Sequence, residues 1–407
     1  MANPVSTPTR AQRTTALVMA TLGFAVNFWA WSLLSPLGPI FVEDAIADDA
    51  ALLVAIPVLV GSLGRIIVGA LTDRFGGRLM MPTISLITII PVLFIGFVGQ
   101  YHYVTLLIGG FLLGVGGTSF AIGIPYVNSW FPKERRGTAT GIYGIGMGGT
   151  AIAAFTTVPL FEHGAVIPFM VTAAVLLIYA LAALALMKNH PDWHPSEQNI
   201  GRQLAAVMKL PFTWQACYLY ALSFGGYVAF SVFLPTYLMN AYGLDAGDAA
   251  LRMAGFVIAA VIMRPLGGML SDTIGPIITL LGGYVIVVVC ALSLATNPRL
   301  EGLGTVAFLL MAIGLGLGAG AVFALVAQVS DPHQVGSITG FVGAAGGLGG
   351  FVPPLLLGGL WAATQEYRWG LLLLAVATVV AGLITLWTAR GMRNTTSAQT
   401  EEHRSIG

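Results

Sequence analysis

Polar residues interrupt this chain only at intervals, and the apolar stretches between them repeatedly exceed the roughly 18 residues that a helix needs to cross a hydrocarbon core. The pattern predicts spans near 15–42, 50–71, 79–99, 104–130, 137–160, 165–187, 213–240, 249–271, 277–296, 303–328, 335–361 and 369–389. The runs do not alternate residue by residue, and they are longer than the roughly ten residues of a barrel strand. Only helices and closed barrels satisfy backbone polar groups in lipid, so the helical state follows. The expected fold is an all-α membrane protein with twelve transmembrane helices.

The longest internal polar break, 188–209, carries His190-Pro191-Asp192-Trp193-His194-Pro195 and falls between spans 6 and 7. It divides the chain into an N-terminal six-helix bundle (1–187), a cytoplasmic linker (188–209), and a C-terminal six-helix bundle with a short tail (210–407). The polar start Met1–Arg13 runs straight into a long first span. It has no small-residue cleavage site after a short apolar core, so no removable signal peptide is expected. Of the 18 Lys and Arg, thirteen lie on the side of the N-terminus and three (Arg252, Arg299, Arg368) on the other. That bias orients the chain with both termini in the cytoplasm, crossing the inner (plasma) membrane several times.

Composition agrees with the pattern. Charged residues are 9% and hydrophobic ones 57%, against about 25% charged in a soluble domain. A net charge of +1 suggests no nucleic-acid partner. The two cysteines, Cys217 and Cys290, lie in apolar runs without metal-site spacing. No nucleophile–base pair, metal cluster or cofactor loop is evident, so neither an enzyme nor a cofactor or metal is expected.

The two halves repeat. An offset of 199 residues places Arg65 on Arg264 and Gly69-Ala70-Leu71-Thr72-Asp73 on Gly268-Met269-Leu270-Ser271-Asp272, and it places Gly76 on Gly275. The same offset carries Gly137, Thr140, Gly141, Gly144 and Gly148 onto Gly336, Thr339, Gly340, Gly343 and Gly347. A same-sense repeat of six spans implies two bundles related by an axis along the membrane normal, with cargo bound near the midplane between them. Asp73 and Asp272 fall at cytoplasmic helix ends, where each can accept bonds from a neighbouring helix N-terminus and latch one access state.

Carboxylates and histidines are confined to loops and span ends, which leaves Arg65 and Arg264 as the charged residues well inside the spans. An Arg at mid-bilayer costs roughly 2.5–3.5 kcal/mol on insertion scales, and two without an acidic partner repel each other. A bound anion supplies the missing negative charge most economically, because the guanidinium fork matches a planar oxyanion in bidentate fashion.

Gly69-Ala70-Leu71-Thr72-Asp73-Arg74-Phe75-Gly76-Gly77-Arg78 resembles the loop signature of the major facilitator superfamily. The second copy is weaker, with Thr273 at the usual basic position. Gly61–Arg65, Arg264–Gly268, and the glycine strings Gly141–Thr150 and Gly340–Gly350 resemble the nitrate/nitrite porter family within it. One departure is Met147, where the first string commonly carries Asn; a thioether lacks an amide's donors. The resemblance implies transport of nitrate or nitrite by a monomer. Its substrate-binding residues would be Arg65, Arg264, Phe120, Phe323 and Tyr220. The signature glycines would be Gly141, Gly144, Gly148, Gly340, Gly343 and Gly347, and the gating motif Gly69, Asp73, Arg74, Gly76 and Asp272. Nitrate/nitrite exchange and proton-coupled nitrate uptake both stay open, and another small anion such as cyanate, formate or oxalate is the rival cargo.

Overall fold

The computed structural model describes residues 8–43, 45–46, 50–195, 200–244, 246–331 and 334–406. No strand occurs among them. Eleven helical runs are long and apolar enough to cross a membrane, and the 32-residue helix Pro211–Tyr242 completes twelve at the place expected for span 7. Span 1 is Arg10–Trp31 followed by Leu34–Glu43; span 2 is Ala50–Phe75, span 3 Gly77–Phe97 and span 6 Ile167–Leu186. In the second half, span 8 is Ala246–Thr273, span 9 Pro276–Leu294, span 10 Thr305–Val329, span 11 Val335–Thr364 and span 12 Arg368–Ile406. The last helix thus continues through most of what reads in sequence as a polar tail.

Spans 4 and 5 depart from simple helices. Span 4 is Tyr103–Leu113, a 3-10 stretch Gly114–Thr118, and Ser119–Trp130. Span 5 is Arg136–Gly144, a 3-10 stretch Ile145–Gly148, and Gly149–Glu162. Both tightened stretches are rich in glycine, whose missing side chains leave the backbone free to overwind. A 3-10 stretch inside a helix often marks a functional hinge. The linker is also more ordered than its composition suggests. Ile200–Met208 forms an amphipathic helix whose Val207 is buried, while residues 196–199 lie outside the described residues.

Spans 1–6 pack mainly among themselves, with span 3 on span 6 and span 1 on spans 5 and 6. Spans 8, 9 and 10 pack together, as do spans 7 and 11. The halves meet along two pseudo-equivalent seams, span 2 on span 11 and span 8 on span 5. Glycine makes both seams possible. A Cβ on Gly340 would stand 2.6 Å from the carbonyl oxygen of Arg65, and one on Gly141 2.8 Å from the Cα of Pro265. Small residues allow this close backbone approach in membrane helices.

The turns into spans 3 and 9 are equivalent as well. Gly76 and Gly275 have φ of +77° and +92°, a region that L side chains avoid. Asn189, in the linker, closes over the first of these turns and accepts the backbone N–H of Arg78 at 3.1 Å.

Candidate functional site

The two seams converge on a buried cluster midway along the spans. Arg65 and Arg264 are each only 1% exposed. Their guanidinium carbons stand 5.2 and 5.4 Å from the ring centroid of Phe120. The two charges are therefore no more than about 11 Å apart. At an effective dielectric near 20 their repulsion is at least about 1.5 kcal/mol.

Each arginine is held by neutral groups. Arg65 donates through Nε to the carbonyl of Gly117 at 2.9 Å and through Nη1 to the carbonyl of Gly343 at 2.7 Å. Gly117 lies in the 3-10 stretch of span 4, and Gly343 in the glycine string of span 11. Arg264 donates through Nη2 to the Tyr220 hydroxyl and through Nη1 to the Met147 thioether, both at 3.0 Å. Its Nε is buried and has no hydrogen-bond partner among the described residues. Among the described residues no carboxylate forms an ion pair with either arginine.

Aromatic rings wall the cluster. Phe120 stacks nearly parallel to Tyr220, with centroids 5.9 Å apart and an interplanar angle of 11°. Phe323 meets Phe120 edge-on at 5.2 Å and Tyr220 at 4.6 Å. Phe120 and Tyr220 thus lie against the arginines, and Phe323 packs on both rings. Cation–π contacts of this kind contribute roughly 0.5–2 kcal/mol each, while removing a charge from water costs several.

Sequence reasoning missed two members. Phe224 lies 6.0 Å from the Arg65 guanidinium and 5.5 Å from that of Arg264. It stacks on Tyr220 at 5.0 Å and 2°. The available signal was its spacing, four residues after Tyr220, which puts both rings on one helix face. Phe28 approaches Arg65 from span 1 at 5.8 Å. Met147, noticed as a missing amide, proves to be an acceptor for Arg264.

The glycine strings play unequal parts. Gly144 and Gly343 face the side chains of Arg264 and Arg65, where a Cβ would intrude. Gly340 and Gly141 form the close seams, and Gly347 faces the Ser62 side chain. Gly148 has open space around it and touches neither arginine.

At the end of the bundles that carries the loop signature, both carboxylates bridge the halves. Asp272 accepts the backbone N–H groups of Gly137 and Thr138 at 2.9 and 2.6 Å, together with the Thr138 hydroxyl. Asp73 accepts the N–H of Ser337 at 3.0 Å and its hydroxyl at 3.1 Å. The acceptors sit at the N-termini of spans 5 and 11, where free N–H groups and the helix dipole favour negative charge. Gly69 packs against the Gly336 backbone beside one of these bridges. Arg74 stands apart, exposed, with its guanidinium over Phe75 at 5.7 Å.

The model of the Major Facilitator Superfamily matches residues 20–354 and, again, 219–406. A probable nitrate/nitrite transporter, NarK2 of Mycobacterium tuberculosis, is 44% identical over 380 residues, covering 92% of this chain and 96% of the relative. The nitrite extrusion protein of Bacillus subtilis is 33% identical over 373 residues, covering 91% and 93%. Among solved structures, the human organic anion transporter MFSD10 superposes with a TM-score of 0.78 at 13% identity, over 92% of this chain and 99% of that one. At that identity the likeness speaks for the fold alone.

Proposed function

Since the chain belongs to the Major Facilitator Superfamily and, within it, to the nitrate/nitrite porters, we propose that it carries nitrate and nitrite across the plasma membrane by alternating access. The anion is held between Arg65 and Arg264. The observation that carries this reading is that both buried guanidiniums lie within 5.4 Å of the Phe120 ring centroid and that, among the described residues, no carboxylate pairs with either. A monovalent anion that reaches within roughly 5 Å of each guanidinium gains about 3 kcal/mol per arginine at an effective dielectric near 20. That exceeds their mutual repulsion. The aromatic walls suit a flat, weakly hydrated ion, whose oxygens meet ring edges and guanidinium N–H groups.

The transport cycle follows from the seams. Residues 1–187 and 210–407 rock as two bundles joined by the linker 188–209. The Asp73 and Asp272 bridges hold the cytoplasmic end shut, and their release opens the site inward. Closure without the anion brings two positive charges together, so return is favoured when an anion is aboard. This favours exchange of nitrate for nitrite, and the lack of a carboxylate paired with either arginine supports it. The basic-residue bias supports cytoplasmic termini, and transport by a single copy of the chain suffices for the cycle.

Counterflow in proteoliposomes tests the reading. Vesicles loaded with nitrate should take up labelled nitrite, and an imposed pH gradient should leave that uptake unchanged. Uptake that follows the pH gradient would replace exchange with symport. Uptake of formate, cyanate or oxalate in preference to nitrite would overturn the cargo.

A further inference from the structure

The two arginines are pseudo-equivalent in sequence but not in what holds them. The 199-residue register places Gly144 on Gly343 and Met147 on Gly346. Arg65 gives its Nη1 hydrogen to a backbone carbonyl, that of Gly343. Arg264 gives its own to a side-chain sulfur, that of Met147 at 3.0 Å.

Local structure produces the difference. In the 3-10 stretch Ile145–Gly148 side chains three apart eclipse one another, so Gly144 and Met147 present one face to span 8. Gly144 leaves room for the Arg264 stem, where a Cβ would strike Nε. Met147, buried at 3% exposure, reaches Nη1 beside it. A thioether is a weak, neutral acceptor on a flexible stem with three rotatable bonds. Among the described residues the neighbouring Nε hydrogen meets no acceptor. Arg264 thus commits Nη1 to a soft acceptor on a flexible stem, whereas Nε and Nη1 of Arg65 go to backbone carbonyls.

We propose that Met147 is a displaceable stand-in for an anion oxygen: its sulfur accepts a hydrogen of Arg264 Nη1 and yields that hydrogen to the arriving anion. The Nη1 hydrogen so released joins in gripping the cargo, and Arg264 is the arm that adjusts while Arg65, tied to the carbonyls of Gly117 and Gly343, stays fixed. Met147 thereby sets how tightly the site holds its anion. A side chain that bonded Arg264 more firmly would compete with the cargo, and one that did not bond it would leave the donor open. The inference rests on the two-arginine reading above.

Nitrate binding to the purified full-length protein, by calorimetry and by NMR of 13C-methyl methionine, tests it. Met147→Leu keeps side-chain volume nearly constant and removes the acceptor. Net loss of one competing hydrogen bond should tighten nitrate binding about three- to tenfold. In the wild-type protein the Met147 methyl signal, assigned by its absence from Met147→Leu or Met147→Ile, should move with the midpoint seen in calorimetry. Unchanged or weaker binding in Met147→Leu overturns the inference. If that variant does not fold, a Met147 methyl signal that stays in place through saturation overturns it instead. A wild-type protein that binds no nitrate overturns the two-arginine reading, and the inference with it.

Discussion

The carboxylate of Asp73, near the end of span 2, accepts the backbone N–H of Ser337 at the start of span 11, 264 residues along the chain, at 3.0 Å. Its pseudo-equivalent, Asp272, makes the matching contact with Thr138 on span 5. The latch is therefore built twice, and each copy joins one half to the other. Hydrogen bonds to a charged group are worth about 1.5–3 kcal/mol, against about 1 for neutral ones. Asp73→Asn keeps an acceptor but loses the charge, so the cytoplasm-closed state should lose about 1 kcal/mol, close to fivefold in population. Thiol labelling of a cysteine placed at the cytoplasmic end of span 11, in a background lacking Cys217 and Cys290, should rise accordingly.

Tyr220 supplies a different term. Its hydroxyl is the acceptor for Nη2 of Arg264, and its ring stacks on Phe224. Tyr220→Phe removes the first and keeps the second. Arg264 then loses its orientation, and nitrate affinity should fall about tenfold, the equivalent of one hydrogen bond. Calorimetry on the purified variant measures this directly, with thermal stability as the check that the aromatic stack remains.

The glycine seam makes a prediction about closure. At Gly340 a Cβ would press on the carbonyl oxygen of Arg65 at 2.6 Å, whereas Gly282 has nothing within 4 Å of that position. Gly340→Ala should therefore force spans 2 and 11 apart and favour the inward-open state. Transport should drop at least tenfold at unchanged abundance in the membrane. Gly282→Ala should transport within about twofold of wild type, since surface changes away from tight contacts shift energies little. Equal losses in the two would show that helix propensity, not the seam, limits the cycle.

His190 gives a pH signature in the linker. Its ring meets Trp130 edge-on at 5.3 Å. Burial lowers its pKa below the usual value; Asp192 partly opposes this and Arg13 adds to it. The folded state thus favours the neutral ring. The resulting stability is present above the unfolded value of about 6.5 and is lost as pH falls through the lower folded value. Thermal unfolding temperatures measured from pH 7.5 to pH 5 should decline for the wild type, and decline less for His190→Gln.

Much of this molecule is legible in its sequence because the bilayer removes alternatives. Apolar length specifies the spans, and the 199-residue offset pairs Arg65 with Arg264 before any coordinates are known. Phe120, Phe323 and Tyr220 came through resemblance rather than physics, since an aromatic in an apolar helix ordinarily packs. The overwound glycine stretches in spans 4 and 5 were not legible, because glycine permits tightening without requiring it. For the same reason the sequence hid which carbonyls hold Arg65. Phe224 stayed hidden because its role depends on how span 7 is rotated, and packing against spans 10 and 11 decides that.

The central claim is that two guanidinium forks, not merely two positive charges, hold the anion. Nitrate binding to Arg65→Lys and Arg264→Lys tests it, since Lys keeps the charge and lacks the fork. Loss of charge-assisted bonds worth about 2 kcal/mol should weaken binding roughly thirtyfold in each variant. Proteoliposomes carrying either variant should lose nitrite uptake in proportion. Wild-type affinity in either variant would contradict the account.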